Sequence, residues 1–281
     1  MTTGSFDRPL ALARLAEEEF DVLVIGGGIT GVGVALDAAS RGLRTALVER
    51  DDFASGTSSK SSKMIHGGLR YLQQGDIRLV YEALAERQRL RKNAPHLVRL
   101  LPFLLPFFTG KDGVIPKGLR KALGSAMWMY DLTGGLRIGK RHERLSKAET
   151  LRYMPTLPAE RVAGGYLYYD AGADDARLTL TVARTAALDF GAVVANGVGV
   201  TRLLKDDATG AVRGANVRTD EGTTFDIRAA AVVNACGVWS DDVRALDEGT
   251  HPDSIRPAKG IHITVPWSLV RNTIAVVVPV P

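Results

Sequence analysis

Six residues, Gly26-Gly27-Gly28-Ile29-Thr30-Gly31, restrict what this chain can fold into more than any other stretch. An apolar, β-branched run, Phe20-Asp-Val-Leu-Val-Ile25, leads straight into them and reads as a buried parallel strand. Small and apolar residues then follow at a helical period from Ile29 to Arg41, with Gly42 as the stop. Arg44-Thr-Ala-Leu-Val48 is a second strand that closes on Glu49. The order is β-α-β within about 30 residues, and because such crossovers are right-handed, the helix covers one face of a parallel sheet.

Each glycine of the turn has its own task. Gly26 permits the tight exit from the strand, Gly28 leaves backbone N–H groups open to a pyrophosphate, and Gly31 lets helix and strand approach closely. The helix N-terminus adds partial positive charge. Ala35 is small where the helix must lie against the sheet. Glu49, about 20 residues beyond the turn, is placed to accept hydrogen bonds from ribose hydroxyls. The combination points to an adenine dinucleotide. NAD and FAD share that half of the molecule, so the turn does not separate them, while a carboxylate at position 49 argues against the extra phosphate of NADP.

The rest of the chain is that of a globular protein with room for one large or two modest domains: 281 residues, 45% apolar and 24% charged. Lysine and arginine exceed aspartate and glutamate by 36 to 31, which is compatible with an anionic substrate, an anionic membrane surface, or neither. Nothing points to nucleic acid. The single cysteine, Cys236, excludes an intrachain disulfide, and no zinc-ligand cluster is present in the sequence, so no metal is expected. Glu17, Glu18 and Glu19 stand where a secretory signal needs cationic residues, and no apolar run reaches the roughly 18 residues of a membrane span. A cytoplasmic protein is expected.

Ile77 to Lys92 reads as an amphipathic helix with Glu82, Glu86, Arg87, Arg89 and Arg91 on its wet side. Prolines at 95, 102, 106 and 116 break regularity after it. The stretch from Leu97 to Phe108 is unusually apolar, and the run from Lys111 to Tyr130 mixes Lys117, Arg120 and Lys121 with Met127, Trp128, Met129 and Tyr130. A buried helix pair with a solvated basic edge is the favoured reading; a segment lying in a lipid headgroup layer, and so a peripheral membrane contact, is the other. Asp174 and Asp175 precede a helical pattern from Leu178 to Phe190, one of them as its N-cap. Strand-like runs follow at Val193-Val194, Val198 to Leu204, Val212 to Val217 and Ala230 to Ala235.

The run Thr57-Ser-Ser-Lys-Ser-Ser-Lys-Met-Ile-His-Gly-Gly-Leu-Arg-Tyr-Leu72 closely resembles the FAD-dependent glycerol-3-phosphate dehydrogenases, respiratory enzymes that pass electrons to quinone. The likeness continues through Arg78 to Arg87 and Ala94-Pro-His-Leu97. It reappears at Asp174-Asp-Ala-Arg-Leu178, Val233-Asn-Ala-Cys-Gly-Val-Trp239 and Lys259-Gly-Ile-His262, in family order. It covers about Phe20 to Pro266. The resemblance implies an α/β fold: a Rossmann-like FAD-binding domain of the glutathione-reductase, DAO-like type, with an incomplete α+β substrate domain. The expected division is 1–95 and 160–254 for FAD, and 96–159 and 255–281 for a substrate- and membrane-facing part. Members of the family continue well past the position matching Pro266, so the resemblance also implies that this chain is the front part of such a protein.

The residues that the resemblance implies for FAD, besides Gly26, Gly28, Gly31 and Glu49, are Thr57, Ser58, Ser59, Ser62, His66, Gly67, Gly68, Val200, Ala235 and Gly237. Bland alternatives stand beside several of them. Val200 is equally an ordinary core valine, and Asn234-Ala-Cys-Gly237 an ordinary tight turn. His66 contacts flavin noncovalently in this reading, although related oxidases carry flavin covalently there. For the substrate the resemblance implies Arg70 and Tyr71, since a guanidinium binds phosphate through two parallel N–H bonds and a phenol adds a donor. His262 is the candidate to polarise or deprotonate the C2 hydroxyl; a strand histidine bonded to backbone is the competing view. The implied reaction is oxidation of sn-glycerol 3-phosphate to dihydroxyacetone phosphate with electrons passed to quinone. An oxidase using O2 and a catalytically silent FAD-binding fragment remain alternatives, and a homodimer is compatible with the reading.

Overall fold

The structure, a computed structural model, describes residues 4–68, 76–109, 128 and 140–278. In chain order its regular elements are α1 (Arg8–Glu17), β1 (Glu19–Ile25), α2 (Ile29–Ser40), β2 (Thr45–Val48), β3 (Met64–Ile65), α3 (Ile77–Asn93), β4 (Arg99–Phe108), β5 (Glu143–Leu145) and α4 (Lys147–Tyr153). Then come β6 (Val162–Gly172), α5 (Asp175–Leu188), β7 (Val193–Ala195), β8 (Val198–Lys205), β9 (Val212–Thr219), β10 (Thr224–Asn234), α6 (Ser240–Glu248), α7 (Trp267–Val270) and β11 (Ala275–Val276). They form two compact units, one of Met1–Ser62 with Asp175–Lys259, the other of Lys63–Asp174 with Gly260–Pro281. Both units are discontinuous. Residues 63–95 and 160–174 fall in the second unit, where β3 and β6 share one sheet and α3 packs into its core.

The first unit is built on a six-stranded sheet in the order β7-β2-β1-β10-β9-β8. β1 lies between β2 and β10 and runs parallel to both, β7 extends the parallel part, and β9 and β8 continue it as an antiparallel ribbon. All four residues of β2 are buried, as a strand covered on both faces requires. Alternation along β1 sends Leu23 and Ile25 into a core with Leu15 of α1, and Val24 into a second core with Val32 and Ala35 of α2 and Ala183 and Ala186 of α5. The small residues at 35, 183 and 186 are what let two helices share that face.

The second unit has β11, β4, β6 and β3 in that order, with β5 pairing separately on β6. Here the expectation of a helix pair fails for Leu97 to Phe108, which contains the ten-residue strand β4 paired antiparallel with β6. The prolines are the physical reason that the strand is hard to read and yet possible. Leu104 O accepts from Val277 N beside β11, and residues two apart in a strand direct their main-chain groups to the same side. Pro102 and Pro106 therefore turn their N atoms, which have no hydrogen to donate, away from β6. The rest of the questioned stretch, residues 110–127, 129 and 130, lies outside the described residues, so neither reading of it is tested.

Two more expectations change. Arg87 does not face water: it is fully buried on the same face of α3 as Val80 and Leu84. The strand that would make His262 a strand histidine does not form. Residues 251–266 have no regular structure, and Ile261 and Ile263 are 83% and 81% exposed. No strand pairs with this run among the described residues. Among the described residues no helix is long and apolar enough to cross a membrane.

Leu23 sits at the centre of the first sheet with no exposed surface. Leu23→Ala should lower stability by about 2–5 kcal/mol in denaturant unfolding; a loss under about 1 kcal/mol would mean that this core is not packed as described.

Candidate functional site

The parallel strands β1, β2 and β10 all end at one edge of the first sheet, and a cavity of about 530 Å³ opens there. Its floor is Ile25, Gly26 and Val48 with Ala235 and Cys236 after β10; Gly28, Ile29 and Thr30 begin α2 beside it. Ligand crevices of open α/β sheets lie outside the carboxyl ends of the strands for this reason: the chain leaves the sheet there and helix N-termini point in.

The three glycines sit at the exit of β1 and in the first turn of α2. Gly26 has φ +110°, and a Cβ on it would stand 2.6 Å from the Ala235 carbonyl oxygen. At Gly31 a Cβ would stand 1.9 Å from the Gly26 carbonyl oxygen, so helix and turn are in direct main-chain contact. Gly28 is the N-cap of α2 and supplies no side-chain cap; a Cβ there would meet only Ser58 Oγ, at 3.2 Å. Gly27, which the spacing leaves without a role, lies against Glu49 and Phe53, at 2.8 and 2.9 Å from where its Cβ would be.

The cap that Gly28 lacks comes from the serine-rich loop. Ser58 Oγ accepts from Ile29 N at 2.8 Å. The other amides of the first turn have no carbonyl within the helix to bond, which is the general condition of a helix start. Thr57 and Ser58 belong to a short 3-10 turn, Thr57–Ser59, and both line the cavity. Glu49 also lines it. One of its carboxylate oxygens accepts from Gly27 N at 2.6 Å and the other from Asp51 N at 2.9 Å, which fixes its rotamer at the mouth of β2. Val200 is both wall and core: it lines the cavity and packs against the first core.

Of the expected cofactor residues, Gly26, Gly28, Glu49, Thr57, Ser58, Val200, Ala235 and Gly237 line this one cavity, and Gly31 supports it from behind. Ser59 and Ser62 are not on its wall. His66, Gly67 and Gly68 belong to the second unit. There Gly67 and Gly68 are buried, and Gly68 N donates to His66 Nδ1 at 3.1 Å. Arg70 and Tyr71 lie outside the described residues. His262 is exposed in the irregular segment, so the view of it as a strand histidine is not realised.

Sequence reasoning missed one wall. Trp239 lines the cavity with the Arg50 guanidinium 5.5 Å from its ring centre, a cation–π distance. Gly56 is needed beneath it, since a Cβ there would stand 2.8 Å from the indole. The available signal was the position of Arg50, directly after the ribose-binding candidate Glu49. Asp242 and Ile255 complete this side. His251 bridges Asp253 and Asp242: Nδ1 lies 2.8 Å from Asp253 and Nε2 3.2 Å from Asp242, and these carboxylates raise its pKa above the usual value. Cys236 gives its thiol proton to Ile25 O at 3.3 Å, and burial, reinforced by the Glu49 charge, pushes its pKa up to about 11. It is therefore a thiol and not a thiolate near neutral pH.

These residues fit a dinucleotide. The cradle at Gly26, Gly28 and Gly31 has no Cβ in the way of a diphosphate, the helix start supplies donors, and a carboxylate is fixed where a ribose would stand.

Comparison with known proteins agrees. The family described as FAD dependent oxidoreductase (DAO) matches residues 21–281. The glycerol-3-phosphate dehydrogenase of Mycobacterium leprae is 45% identical over 276 residues, 98% of this chain and 46% of that protein. The mitochondrial glycerol-3-phosphate dehydrogenase of Homo sapiens is 45% identical over 263 residues, 88% of this chain and 35% of that protein. Among solved structures, the glycerol-3-phosphate dehydrogenase of Bacillus halodurans complexed with FAD superposes with a TM-score of 0.64 at 34% identity, covering 85% of this chain and 38% of that one. The L-alpha-glycerophosphate oxidase of Mycoplasma pneumoniae with FAD bound, at TM-score 0.58 and 22% identity over 82% of this chain and 57% of that one, shows likeness of fold alone. The chain thus spans less than half the length of the curated relatives it matches.

The main-chain contact at Gly31 leaves no room for a methyl group. Gly31→Ala should weaken FAD binding by about 100-fold or more in a fluorescence titration, by driving α2 off the strand ends; binding within about threefold of the unaltered protein would show that the contact does not shape the cradle.

Proposed function

Since this chain belongs to the DAO family of FAD-dependent oxidoreductases, we propose that it oxidises sn-glycerol 3-phosphate to dihydroxyacetone phosphate. The first unit is the cofactor domain. The single observation that carries this half is the Gly31–Gly26 contact beneath a helix start that faces a fixed carboxylate. The amides of α2 hold the diphosphate, Glu49 accepts from the ribose, and Thr57 and Ser58 supply hydroxyls beside them. Trp239 and Arg50 form a flat, cationic wall for the remaining aromatic part. Bound FAD supplies the acceptor for a hydride, chemistry that no side chain offers.

The second unit is the substrate part of the reading. Arg70 and Tyr71 bind the phosphate, which sets the molecule's orientation. His262, with no fixed partner given by secondary structure, takes the proton of the C2 hydroxyl as the C2 hydride departs, so that one C–H and one O–H bond break and a carbonyl forms. The reading is supported by 45% identity to proteins named glycerol-3-phosphate dehydrogenase across 98% of this chain. Quinone is the final acceptor in this proposal, which brings a cytoplasmic protein to the inner face of the cell membrane.

The test is an anaerobic titration of the FAD-loaded protein with sn-glycerol 3-phosphate. Loss of the oxidised-flavin colour is expected, with dihydroxyacetone phosphate formed in equal amount; a flavin that stays yellow in excess substrate removes the proposal and leaves a silent FAD-binding chain. Peroxide formed on admitting air at the rate of turnover would replace quinone by O2. Arg70→Ala should raise KM by roughly 100-fold or more with FAD content unchanged; lost flavin with an unchanged KM would remove Arg70 from the phosphate site.

A further inference from the structure

Arg87 has no exposed surface, and its partner Asp170 is 2% exposed. The position is forced by the helix. Val80, Leu84 and Arg87 follow one another at i, i+4 and i+7 on α3, and the first two pack against Phe103, Leu105, Tyr166 and Tyr168. The guanidinium is thus carried into an apolar core, where an ion persists only if its charge and hydrogen bonds are met. Nη1 donates to Asp170 Oδ1 and, at 3.3 Å, to the Tyr169 carbonyl. The same Asp170 Oδ1 accepts from Gly67 N at 2.9 Å.

That third partner gives the pair a use beyond stability. The ladder between β3 and β6 pairs Met64 with Gly172 and Ile65 with Ala171, and then stops. Asp170 is the next residue on β6, and its side chain takes over where the main chain ceases to pair, 103 residues away in sequence from the amide it holds. The following amide, Gly68 N, is held by His66 Nδ1, and Gly68 itself is left-handed at φ +74°. The Gly67 and Gly68 amides are therefore both tied, one to a buried carboxylate and one to an imidazole. An ion pair serving stability alone is replaceable by apolar side chains of similar size. Such side chains would not accept the Gly67 N–H.

We propose that Arg87 and Asp170 are positioning residues, a buried clamp that holds Gly67 and thereby sets the turn three residues ahead of Arg70 for recognition of the substrate phosphate. The inference rests on the reading that Arg70 and Tyr71 bind that phosphate. Arg87 orients the carboxylate, and the carboxylate holds the main chain; neither touches the substrate.

The decisive experiment uses the FAD-loaded chain and the double variant Arg87→Met, Asp170→Leu, which keeps the core filled and removes the acceptor. Unchanged flavin content and a single cooperative melting transition are expected. KM for sn-glycerol 3-phosphate, and its Kd by calorimetry, should rise about tenfold or more, with kcat changed by less than about threefold. Arg87→Met with Asp170→Asn, which returns an amide oxygen to position 170, should recover most of the loss. A folded Met/Leu variant with unaltered KM and Kd overturns the clamp. If the unaltered protein neither binds nor oxidises sn-glycerol 3-phosphate, the phosphate reading itself has failed, and this inference with it. Should the double variant not fold, amide exchange in the unaltered protein decides: Gly67 N–H should be protected like the β6 amides, and exchange as fast as at Ile261 or Ile263 overturns the proposal.

Discussion

The first unit depends on a contact made possible by missing atoms. The carbonyl oxygen of Gly26 occupies the space that a side chain at Gly31 would need. Because of this, α2 begins directly over the end of β1 and not a residue or two further away. Everything else in the cradle takes its position from that closeness. The Ala235 carbonyl can lie against Gly26, the serine-rich loop can reach Ile29 with a hydroxyl, and Gly27 can lie under Glu49. Dispersion and hydrophobic burial hold the sheet and helices together, as in any such fold, but they are indifferent to where the helix starts. The glycines decide it.

The second unit solves a different problem. It brings a cation and an anion into a core otherwise made of Phe103, Leu105, Phe107, Tyr166 and Tyr168. The consequences reach its neighbours: burial, with the Asp170 charge added, drives the Tyr168 phenol well above its ordinary pKa, so that it stays protonated throughout the usual pH range.

Much of the first unit was legible in the sequence, for reasons that can be named. β1 and β2 are short, mostly apolar runs, the helix between them has small residues at helical spacing, and glycines punctuate both ends, so period, turn chemistry and composition agree. Eight of the expected cofactor residues line one cavity because the motif that carries them is local in sequence, or sits at the end of a strand that register brings alongside. Legibility failed where tertiary context overrode a local rule. Pro102 and Pro106 read as breakers, but their missing donors face away from β6 and cost little. Arg87 read as a solvated charge, although its spacing from Val80 and Leu84 already placed it on the apolar face; the partner that makes its burial tolerable is 83 residues away. Trp239 and Arg50 meet only because β2 and the segment after β10 end at the same edge, which no local pattern encodes.

The carboxylate of Glu49 is held at both oxygens by main-chain donors before anything enters the cavity. The rotational freedom of that side chain is spent when the protein folds, so under the proposed function an arriving sugar meets an acceptor already aimed. Empty and loaded forms should then share one rotamer at this position, and recognition there becomes a property of the scaffold, with no adjustment induced by the guest.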